Sequence, residues 1–577
     1  TEYYLLEEEA KLLGSDLAES FIGFDQYASA KIQLRFTSEG TKKFGQVTQE
    51  NTGRQLAILL DGVIKSGPPS ISGPILSGEA EITGSFSMDE ARLVTSVLNS
   101  GALPVPLKVE EERSVGPLLG SDSIKRGINS IMIGAGIVVL FVLIYYLFGG
   151  PISIICLALN LLFILAGLHL FQGTLTLPGI AGMILTLGMS VDANVLIFER
   201  IREELKVKKP LSVAVKNGFG KAKRTIIDAN ITTLIAALAL YIFGTGPIKG
   251  FATTLSFGIV ASVFTSVFIG RTIFSLLLDL RLKKFPMLSI IPASHLNFIK
   301  SKGICLVISL VAIFAGLTYF YSNSEKFYGI DFKGGQVLEY KISPPVEIEN
   351  LRTTLNNKGF NDITIQDFKD IAGGVIIQSK DDISSSIYKV LGDTYDQVQE
   401  LKVNTIGPTV GKALLKKAGF AILFSLLGIL LYVVIRFKHF DFAFAAVIAL
   451  LHDVLITLGF ICLGGYQVNL LTVTALLTIA GYSINDTIVI YDRIREISPR
   501  MHKSTLSEIV NTAINNTLSR TIITSLTTLM VVVTIFCLGG EALKGFAFAL
   551  IIGIIAGTYS SIYIASPLVL LFRKTRV

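Results

Sequence analysis

Hydrophobic residues in this chain are gathered into long runs, which are separated by short basic loops and by two hydrophilic stretches. Each run is close to the roughly 20 residues that a helix needs to cross a bilayer. Eleven such runs are present, and each predicts a membrane-spanning helix. In chain order they cover about 128–148, 152–171, 175–198, 225–243, 251–278, 304–321, 418–435, 442–463, 468–491, 521–538 and 546–572.

The first hydrophilic stretch, residues 1–125, alternates between strand and helix patterns. Ser38 is a suitable N-cap for its first helix, and Gly53 is a suitable end. Asp61-Gly62 is a strong hairpin signal. The predicted strands are 30–36, 55–60, 63–65, 79–83 and 104–109, and the second predicted helix is 88–99. With 55–60 and 63–65 taken together as one hairpin, we interpret this order as βαββαβ, a ferredoxin-like α+β domain.

The second hydrophilic stretch, residues 322–410, repeats the βαββαβ pattern. Its glycine-rich segment 329–335 is interpreted as a tight turn that joins a helix to the sheet, with an anion-binding nest as the alternative. The predicted strands are 336–342, 362–368, 374–379 and 400–406, and the predicted helices are 346–357 and 383–395.

The chain therefore contains a soluble domain followed by five helices, twice. Residues 188–203 match residues 481–496, which lie 293 positions further on, and Arg224-Thr225-Ile226 matches Arg520-Thr521-Ile522. Because the first copy is one helix short, we expect a twelfth helix before residue 1 in the parent protein. The predicted divisions are 1–125 (first soluble domain, truncated at its N-terminus), 126–285 (helix bundle), 286–302 (linker), 303–321 (first helix of the second copy), 322–410 (second soluble domain) and 411–577 (second bundle).

Lysine and arginine are concentrated in the short loops between hydrophobic runs. Residues 200–224 carry nine of them, and 281–302, 436–438, 493–520 and 573–576 are also basic. Basic loops stay on the cytoplasmic side of a membrane, so threading the eleven helices places both soluble domains on the opposite, periplasmic side. The net charge of +7 is thus a topology signal, and no nucleic-acid partner is expected.

Several site classes are excluded by the sequence. Residues 407–413 (Gly-Pro-Thr-Val-Gly-Lys-Ala) fall one residue short of a phosphate-binding loop and lack its Ser or Thr, so this chain is not expected to bind ATP or to be an enzyme. The four cysteines lie in hydrophobic runs and are interpreted as small buried residues, with no metal or disulfide framework. They are Cys156, Cys305, Cys462 and Cys537. No cofactor is expected apart from the proton as coupling ion.

Two carboxylates stand inside hydrophobic runs, at matching depths in the two copies. Asp192 corresponds to Asn485 in the repeat, and Asp486 corresponds to Ala193, so the carboxylates are offset by one position. We place Asp192 about seven residues before the end of its helix. Desolvation penalises a charged carboxylate in hydrocarbon, so such a group can bind and release a proton. We predict a proton relay, and the alternative is that both groups only lock helices together.

Arg520, at the mouth of its predicted helix, is expected to pair with one of these carboxylates and hold it ionised until a helix shifts. Supporting roles in the relay are proposed for Asn194, Asn485, Thr487, His452 and Asp453, with helix packing as the alternative. Arg224 is either the functional mate of Arg520 or a boundary residue that reaches the headgroups. Asp228 is expected to be a helix-terminus residue.

Several motifs resemble the SecD/SecF family of protein-export membrane proteins, within the resistance-nodulation-division superfamily. Gly-Met-Ser-Val-Asp-Ala-Asn-Val-Leu-Ile-Phe-Glu-Arg at 188–200 resembles the SecD signature. Gly-Ile-Asp-Phe-Lys-Gly-Gly at 329–335 and Gly-Tyr-Ser-Ile-Asn-Asp-Thr at 481–487 resemble SecF. Residues 78–86 with 100–104 look like the end of the first SecD periplasmic domain. The order of these motifs resembles a fused SecDF chain.

The resemblance implies an accessory subunit of the Sec translocase in the bacterial inner membrane. Such a protein uses the proton motive force to pull unfolded preprotein through SecYEG, while SecA hydrolyses ATP on the cytoplasmic side. SecYEG, SecA, YajC, YidC, preprotein clients and membrane lipid are the implied partners. The family's essential aspartate pair and arginine correspond to Asp192, Asp486 and Arg520.

One departure from the family is the absence of the Asp-Leu-Gly-Gly-type motif that opens the SecD periplasmic domain. We therefore expect the first domain to lack its mobile head. Two other functions remain open from the residues alone. The first is a small-molecule exporter of the same superfamily, although its second soluble loop would be unusually short. The second is an assembly scaffold for the channel that transports nothing itself.

Overall fold

The computed structural model describes residues 6, 10–24, 30–57, 59–60, 63–64, 68, 70–100, 109–280, 285–288, 296–368 and 370–572. Two compact units make up the chain, Thr1–Val109 and Glu110–Val577. Elements of the first unit are β1 (Leu17–Phe24), β2 (Ala30–Phe36), α1 (Ser38–Glu50), β3 (Leu59–Leu60), β4 (Val63–Ile64), β5 (Glu79–Phe86) and α2 (Met88–Asn99).

Within the described residues of the first unit, β1, β2 and β5 form an antiparallel sheet in that order, and β3 pairs with β4 as a separate hairpin. Ile32, Leu34 and Ile82 from the sheet pack with Ala91 of α2 in one hydrophobic core. The soluble unit thus has a sheet with one face covered by a helix, as its alternating strand pattern predicts.

The first unit departs from the predicted pattern in three places. Strand β1 was not predicted, because its sequence mixes polar and apolar residues without strict alternation. Thr37, and not Ser38, is the N-cap of α1, since its Oγ1 accepts a hydrogen bond from the Gly40 amide at 3.0 Å. The strand expected at 55–60 is confined to β3, and Gln55 makes an isolated bridge to Ser70. Residues 61–62, 65 and 104–108 lie outside the described residues.

The second unit contains the helix bundle and another soluble domain. Its elements in chain order are β6 (Glu111–Val115), α3 (Pro117–Tyr146), α4 (Gly149–Leu170), α5 (Leu177–Lys206), α6 (Leu211–Phe243), α7 (Pro247–Phe264), α8 (Gly270–Asp279), α9 (Lys302–Ser322), α10 (Ser324–Phe327), α11 (Ile330–Lys333), β7 (Gly335–Ser343), α12 (Ile348–Asn357), β8 (Ile363–Asp367), β9 (Gly374–Ser379), α13 (Ser384–Thr394), β10 (Gln397–Ile406), α14 (Pro408–Phe437), α15 (Phe440–Leu463), α16 (Leu470–Ile497), α17 (Leu506–Leu538), α18 (Glu541–Ser560) and α19 (Ser566–Phe572).

The second soluble domain confirms the predicted ferredoxin-like arrangement. Its antiparallel strands lie in the order β6-β10-β7-β9-β8 among the described residues. The last four of these are the fourth, first, third and second strands of a βαββαβ unit, as expected for that fold. Strand β6 is an addition, because residues 111–115 pair with β10. Residues 110–125 therefore belong to the second unit, with 111–115 in β6 and 117–125 in α3, and their assignment to the first domain is wrong.

Within the described residues, eleven helical segments are long and apolar enough to cross a membrane, and this confirms the predicted spans. They are α3, α4, α5, α6, α7 with α8, α9, α14, α15, α16, α17, and α18 with α19. One π-helical turn joins α7 to α8 and another joins α18 to α19. Cys537 is exposed in the last turn of α17, contrary to expectation.

Several spanning helices continue beyond the hydrophobic runs into charged sequence, because no proline interrupts them there. Helix α5 runs on to Lys206, so Asp192 lies near its middle and not close to its end. Helix α6 begins at Leu211, which places Asp228 in its interior and makes the terminus assignment wrong. We call the end of the bundle that carries loops 207–210, 438–439 and 498–505 the basic-loop end.

Helices α5 and α16 form the centre of the bundle. In each helix, 94% of the most apolar 18-residue stretch is buried within the protein, the highest share among the described spans. Gly188 of α5 packs against the backbone of Thr528 in α17, and Gly481 of α16 packs against the backbone of Thr233 in α6. These two glycines are repeat equivalents, and each helix therefore packs closely on a helix of the other repeat.

Candidate functional site

The three predicted relay residues meet at the centre of the bundle. Asp192 is contributed by α5, Asp486 by α16 and Arg520 by α17. They are 6%, 5% and 5% exposed, respectively. Arg520 Nη1 lies 3.8 Å from Asp486 Oδ1, an ion pair longer than a hydrogen bond. Arg520 is thus placed beside one carboxylate, as the sequence predicts.

Asn485 connects Asp192 to the same arginine. Its Nδ2 donates a hydrogen bond to Asp192 Oδ2 at 2.6 Å. Its Oδ1 accepts a hydrogen bond from Arg520 Nη2 at 3.2 Å. The amide therefore transmits the position of the guanidinium to a carboxylate of the other repeat, and Asp192, Asn485, Arg520 and Asp486 form a continuous polar chain.

The one-position offset between the repeats explains this arrangement. Successive residues on a helix point about 100° apart, so α16 turns Asn485 towards α5 and Asp486 towards α17. If the second repeat had aspartate at 485, as the first has at 192, the carboxylates of residues 485 and 192 would meet, which is unfavourable in a buried site. Asparagine at 485 supplies a donor to Asp192 and an acceptor to Arg520 without a second charge.

A small cavity adjoins this polar chain. Its volume is about 20 Å³, and it is lined by Asp192, Asn485, Arg520 and Tyr482 together with Ala229 and Thr233 of α6. A site of roughly 10–15 Å³ is sufficient for one water molecule when polar partners surround it. Asp192 Oδ1 and Arg520 Nε are both buried without a hydrogen-bond partner among the described residues. The cavity is therefore large enough to hold one water molecule beside the relay.

His452 and Asp453 form a separate buried cluster on α15. His452 Nδ1 lies 2.8 Å from Asp453 Oδ1. Asp453 Oδ2 accepts hydrogen bonds from Ser483 of α16 at 2.5 Å and from Ser560 of α18 at 2.7 Å. This cluster ties three helices of the second repeat together. In the described structure neither residue contacts Asp192, Asp486 or Arg520 directly.

Asn194 and Thr487 are buried beside the relay, and within the described residues neither hydrogen-bonds to its charged groups. Asn194 Nδ2 donates to the Ser190 carbonyl of its own helix at 3.5 Å, and Thr487 is 2% exposed. Tyr482 was not a predicted relay residue, but it lines the cavity beside the relay. Its Oη donates to the Thr524 carbonyl at 3.2 Å and lies 3.0 Å from Thr528 Oγ1.

Four repeat-equivalent charges meet at the basic-loop end. Arg200 Nη1 contacts Glu203 at 2.9 Å and Glu496 at 3.1 Å. Arg493 Nη1 contacts Glu496 at 2.7 Å and Glu203 at 3.6 Å. Arg200 corresponds to Arg493 and Glu203 to Glu496 in the repeat, so the ring has approximate two-fold symmetry. The sequence shows these charges but does not show that they cross between repeats.

Comparison with known proteins identifies the family. The family model described as "Protein export membrane protein SecD/SecF, C-terminal" matches residues 101–279 and 386–575. The model described as "SecDF, P1 head subdomain" matches residues 1–105. Protein translocase subunit SecDF of Thermus thermophilus is 42% identical over 578 residues, covering 98% of this chain and 77% of that protein. The chain belongs to the SecDF family.

Other SecDF proteins extend the similarity over almost the whole chain. Protein translocase subunit SecDF of Brucella abortus is 34% identical, covering 99% of this chain and 76% of that protein. The crystal structure of SecDF from Thermus thermophilus, a translocon-associated membrane protein, matches with a TM-score of 0.79 and 40% identity, covering 97% of this chain and 78% of that one. SecDF in a super-membrane-facing form matches with a TM-score of 0.66 and 41% identity, covering 98% and 77%.

Membership of the SecDF family confirms the resemblance seen in the motifs and the multi-pass membrane fold. It also favours protein transport over the small-molecule exporter. The expectation that the first domain lacks its head is wrong, since residues 1–105 match the head subdomain. That expectation rested on a missing opening motif, and the motif's absence does not report on the segments that follow it.

Proposed function

We propose that this SecDF-family chain is an accessory subunit of the Sec translocase that uses the proton motive force to promote export of unfolded polypeptide. The observation that supports it is the buried chain Asp192–Asn485–Arg520–Asp486, in which each repeat contributes one carboxylate. Ionisable groups inside a membrane are costly and typically mark ion pathways. The relatives are named protein translocase subunits, which supports a polypeptide as the molecule that is moved.

The proposed cycle starts when a proton from the periplasmic side binds a carboxylate oxygen of Asp486. The neutral acid loses its attraction to Arg520, and the guanidinium then keeps its hydrogen bond to Asn485, which in turn donates to Asp192. Release of the same proton to the cytoplasmic side restores the pair with Asp486. One charge that moves through 100 mV gains about 2.3 kcal/mol, which is enough to bias two helix arrangements roughly 50-fold.

Movement of α16 would be transmitted to the second soluble domain. The Leu470 amide, in the first turn of α16, donates a hydrogen bond to Asp331 Oδ2 at 3.0 Å. The Gly329 amide donates to the Val468 carbonyl at 2.9 Å, just before that helix. Rocking of the two repeats against each other would therefore displace the domain that faces the exported chain. The proposed partners are SecYEG, SecA, YajC and YidC. We place the helices in the bacterial inner membrane and both soluble domains on its periplasmic side.

The test is proton flux through the reconstituted chain in liposomes that enclose a pH-sensitive dye, under an imposed gradient. We expect flux in the wild type and only background in Asp486→Asn, because an amide cannot take up a proton near neutral pH. Unfolded polypeptide in the lumen should increase the wild-type flux.

Asp279→Asn is the matched control, since Asp279 is exposed at the end of α8 and should leave the flux unchanged. Equal flux in the wild type and in Asp486→Asn would refute the relay. Absence of flux in both, with normal export in cells that carry Asp486→Asn, would favour the scaffold function instead.

A further inference from the structure

A second cluster of two carboxylates and one guanidinium joins the repeats closer to the basic-loop end. Arg436, in the last turn of α14, donates from Nε to Asp228 Oδ2 of α6. Tyr432 Oη, one turn earlier, donates to Asp228 Oδ1 at 2.8 Å. Arg436 Nη2 also lies 3.6 Å from Asp492 Oδ1 of α16. Asp228 belongs to the first repeat, and the other three residues belong to the second.

The cluster is shielded from its surroundings. The side chains of Asp228, Arg436 and Asp492 are 8%, 14% and 25% exposed, and the Arg436 guanidinium lies 5.3 Å from the centre of the Phe437 ring. Buried charges are tolerated when they are paired and hydrogen-bonded, and removal of one partner leaves a costly unpaired charge. The positions of α6, α14 and α16 at this level are therefore tied to one guanidinium.

The two carboxylates of the cluster, Asp228 and Asp492, differ in how closely they contact Arg436. Both oxygens of Asp228 accept hydrogen bonds from α14. Asp492 Oδ2 accepts a hydrogen bond from Thr225 of α6 at 3.1 Å, but Asp492 Oδ1 meets Arg436 only as a longer ion pair. Arg436 is thus fixed to α6, and its contact with α16 is the one that separates at the lower cost.

Asp492 is rigidly connected to the relay. It follows Asp486 by six residues on the same helix, which is about 9 Å along the axis. On α6, Thr225 lies one turn from Ala229, which lines the cavity beside Asp192. A displacement of α16 relative to α6 that changes the Asp486–Arg520 distance therefore also changes the Asp492–Arg436 distance.

We propose that Arg436 is a positioning residue that interlocks the repeats. It holds α16 against α6 in the present arrangement, and its ion pair with Asp492 opens when α16 shifts. The proposal rests on the proposed function for its role in proton coupling, but the interlock itself is a statement about helix positions. No residue of this cluster was among the predicted relay residues. Arg436 and Asp492 lie in charged sequence just beyond the hydrophobic runs 418–435 and 468–491.

The experiment measures a distance and a flux in the whole chain of residues 1–577. Spin labels replace Lys216 on α6 and Lys503 after α16, both exposed, in a background without the four native cysteines. Distances are recorded by pulsed electron resonance in liposomes for the wild type, Asp492→Asn and Arg436→Gln. Proton flux is measured on the same unlabelled variants.

We expect a second distance population in Asp492→Asn, with the ratio of the two arrangements changed about tenfold relative to the wild type. Arg436→Gln leaves Asp228 without its ionic partner, and misfolding would obscure its result. The double variant Asp228→Asn with Arg436→Gln removes that unpaired charge, and it should show the same second population. Arg500→Gln is the control, because Arg500 is 69% exposed and 3.9 Å from Glu496, and it should match the wild type.

Unchanged distances in Asp492→Asn and in the double variant would overturn the interlock, whatever the flux. A wild type without flux would contradict the proposed function. The measured distances alone would then decide whether the interlock exists. A shifted distance together with altered flux in the variants would support both. A purely structural role predicts a lower melting temperature with a single, unshifted distance, and that result also overturns the proposal.

Discussion

Asn485 gives the central site its connectivity. The two carboxylates are on different helices, and of these two it is Asp486 that forms the ion pair with the arginine in the described structure. The hydrogen bonds of Asn485 to Asp192 and to Arg520 bring the second carboxylate under the influence of the same guanidinium. A buried amide that donates to one group and accepts from another is well suited to this role, because both of its ends are satisfied.

Replacement of Asn485 by alanine should therefore uncouple Asp192 from Arg520. We expect proton flux in liposomes to fall about tenfold, which equals roughly 1.4 kcal/mol of barrier, while membrane insertion stays normal. Asn194→Ala is the matched control, since among the described residues that buried amide donates to the Ser190 carbonyl of its own helix and to no charged group of the relay. A similar loss of flux in both variants would show that general packing, and not the bridge, is responsible.

Asp192 and Asp486 were accessible to prediction because a charge in a long hydrophobic run is conspicuous, and Arg520 because it directly precedes such a run in a segment that matches the other repeat. Asp192, Asp486 and Arg520 meet as their positions in the repeat suggest. Arg436 and Asp492 were missed, because a charge in a basic loop and a charge at the end of a buried helix look alike in sequence. Their pairing depends on how α6 crosses α14 and α16, and this is a tertiary property.

At the level of helices, two glycines set the distance between the repeats. A Cβ at Gly481 would lie 2.9 Å from the Thr233 Cα of α6, and a Cβ at Gly188 would lie 3.1 Å from the Thr528 Cα of α17. Backbone atoms cannot move aside as a flexible side chain does. Small residues at such crossings allow helices in membranes to approach closely, so these positions keep the relay helices in contact with their neighbours.

Gly481→Ala should consequently destabilise the bundle by about 1–3 kcal/mol through overpacking, against an intrinsic helix gain of up to about 1 kcal/mol. Thermal unfolding in detergent measures the difference. Gly136→Ala on α3 is the control, because a Cβ there meets nothing within 4 Å, and it should be neutral or slightly stabilising. Equal stability of the two variants would mean that α6 and α16 can separate without cost.

The fold was predictable where hydrophobic runs and strand alternation are regular. The spans and the second βαββαβ domain follow directly from such patterns. Helix ends were less accessible, because α5, α6 and α17 continue through charged segments that a hydropathy pattern counts as loops. Strand β6 could not be assigned from sequence, since its partner β10 lies far along the chain.

For the whole of the second unit, the question is how motion in the helices reaches the soluble domain. Asp331 links them at one point, since it accepts a hydrogen bond from the Leu470 amide of α16 and pairs with Arg113 of β6 at 3.2 Å. Asp370 is a second link. It pairs with Arg126 of α3 at 3.1 Å and accepts a hydrogen bond from the Glu541 amide of α18 at 2.7 Å. The domain is therefore fixed to helices of both repeats.

Asp331 lies in the soluble domain and contacts α16, the helix that carries Asp486. Asp331→Ala should therefore separate proton movement from its mechanical effect. We expect flux in liposomes to stay within about twofold of the wild type, because the buried relay is unchanged and the substitution lies at a partly exposed helix terminus. Stimulation of flux by unfolded polypeptide, and proton-driven export in vesicles, should fall strongly, because α16 loses its side-chain link to the domain and only the backbone hydrogen bond between Gly329 and Val468 is left beside it.

Asp362→Ala is the matched control for this separation, since Asp362 is an exposed carboxylate of the same domain, and it should retain both activities. Equal loss of basal flux and export in Asp331→Ala would mean that the aspartate acts on the helix bundle itself. Retention of both would mean that the soluble domain is displaced through its other attachments, at Asp370 and at Gly329–Val468, or that it is not displaced at all. Asp331→Ala combined with Asp370→Ala then tests the two side-chain links together, and loss of export only in the double variant would show that they share the displacement.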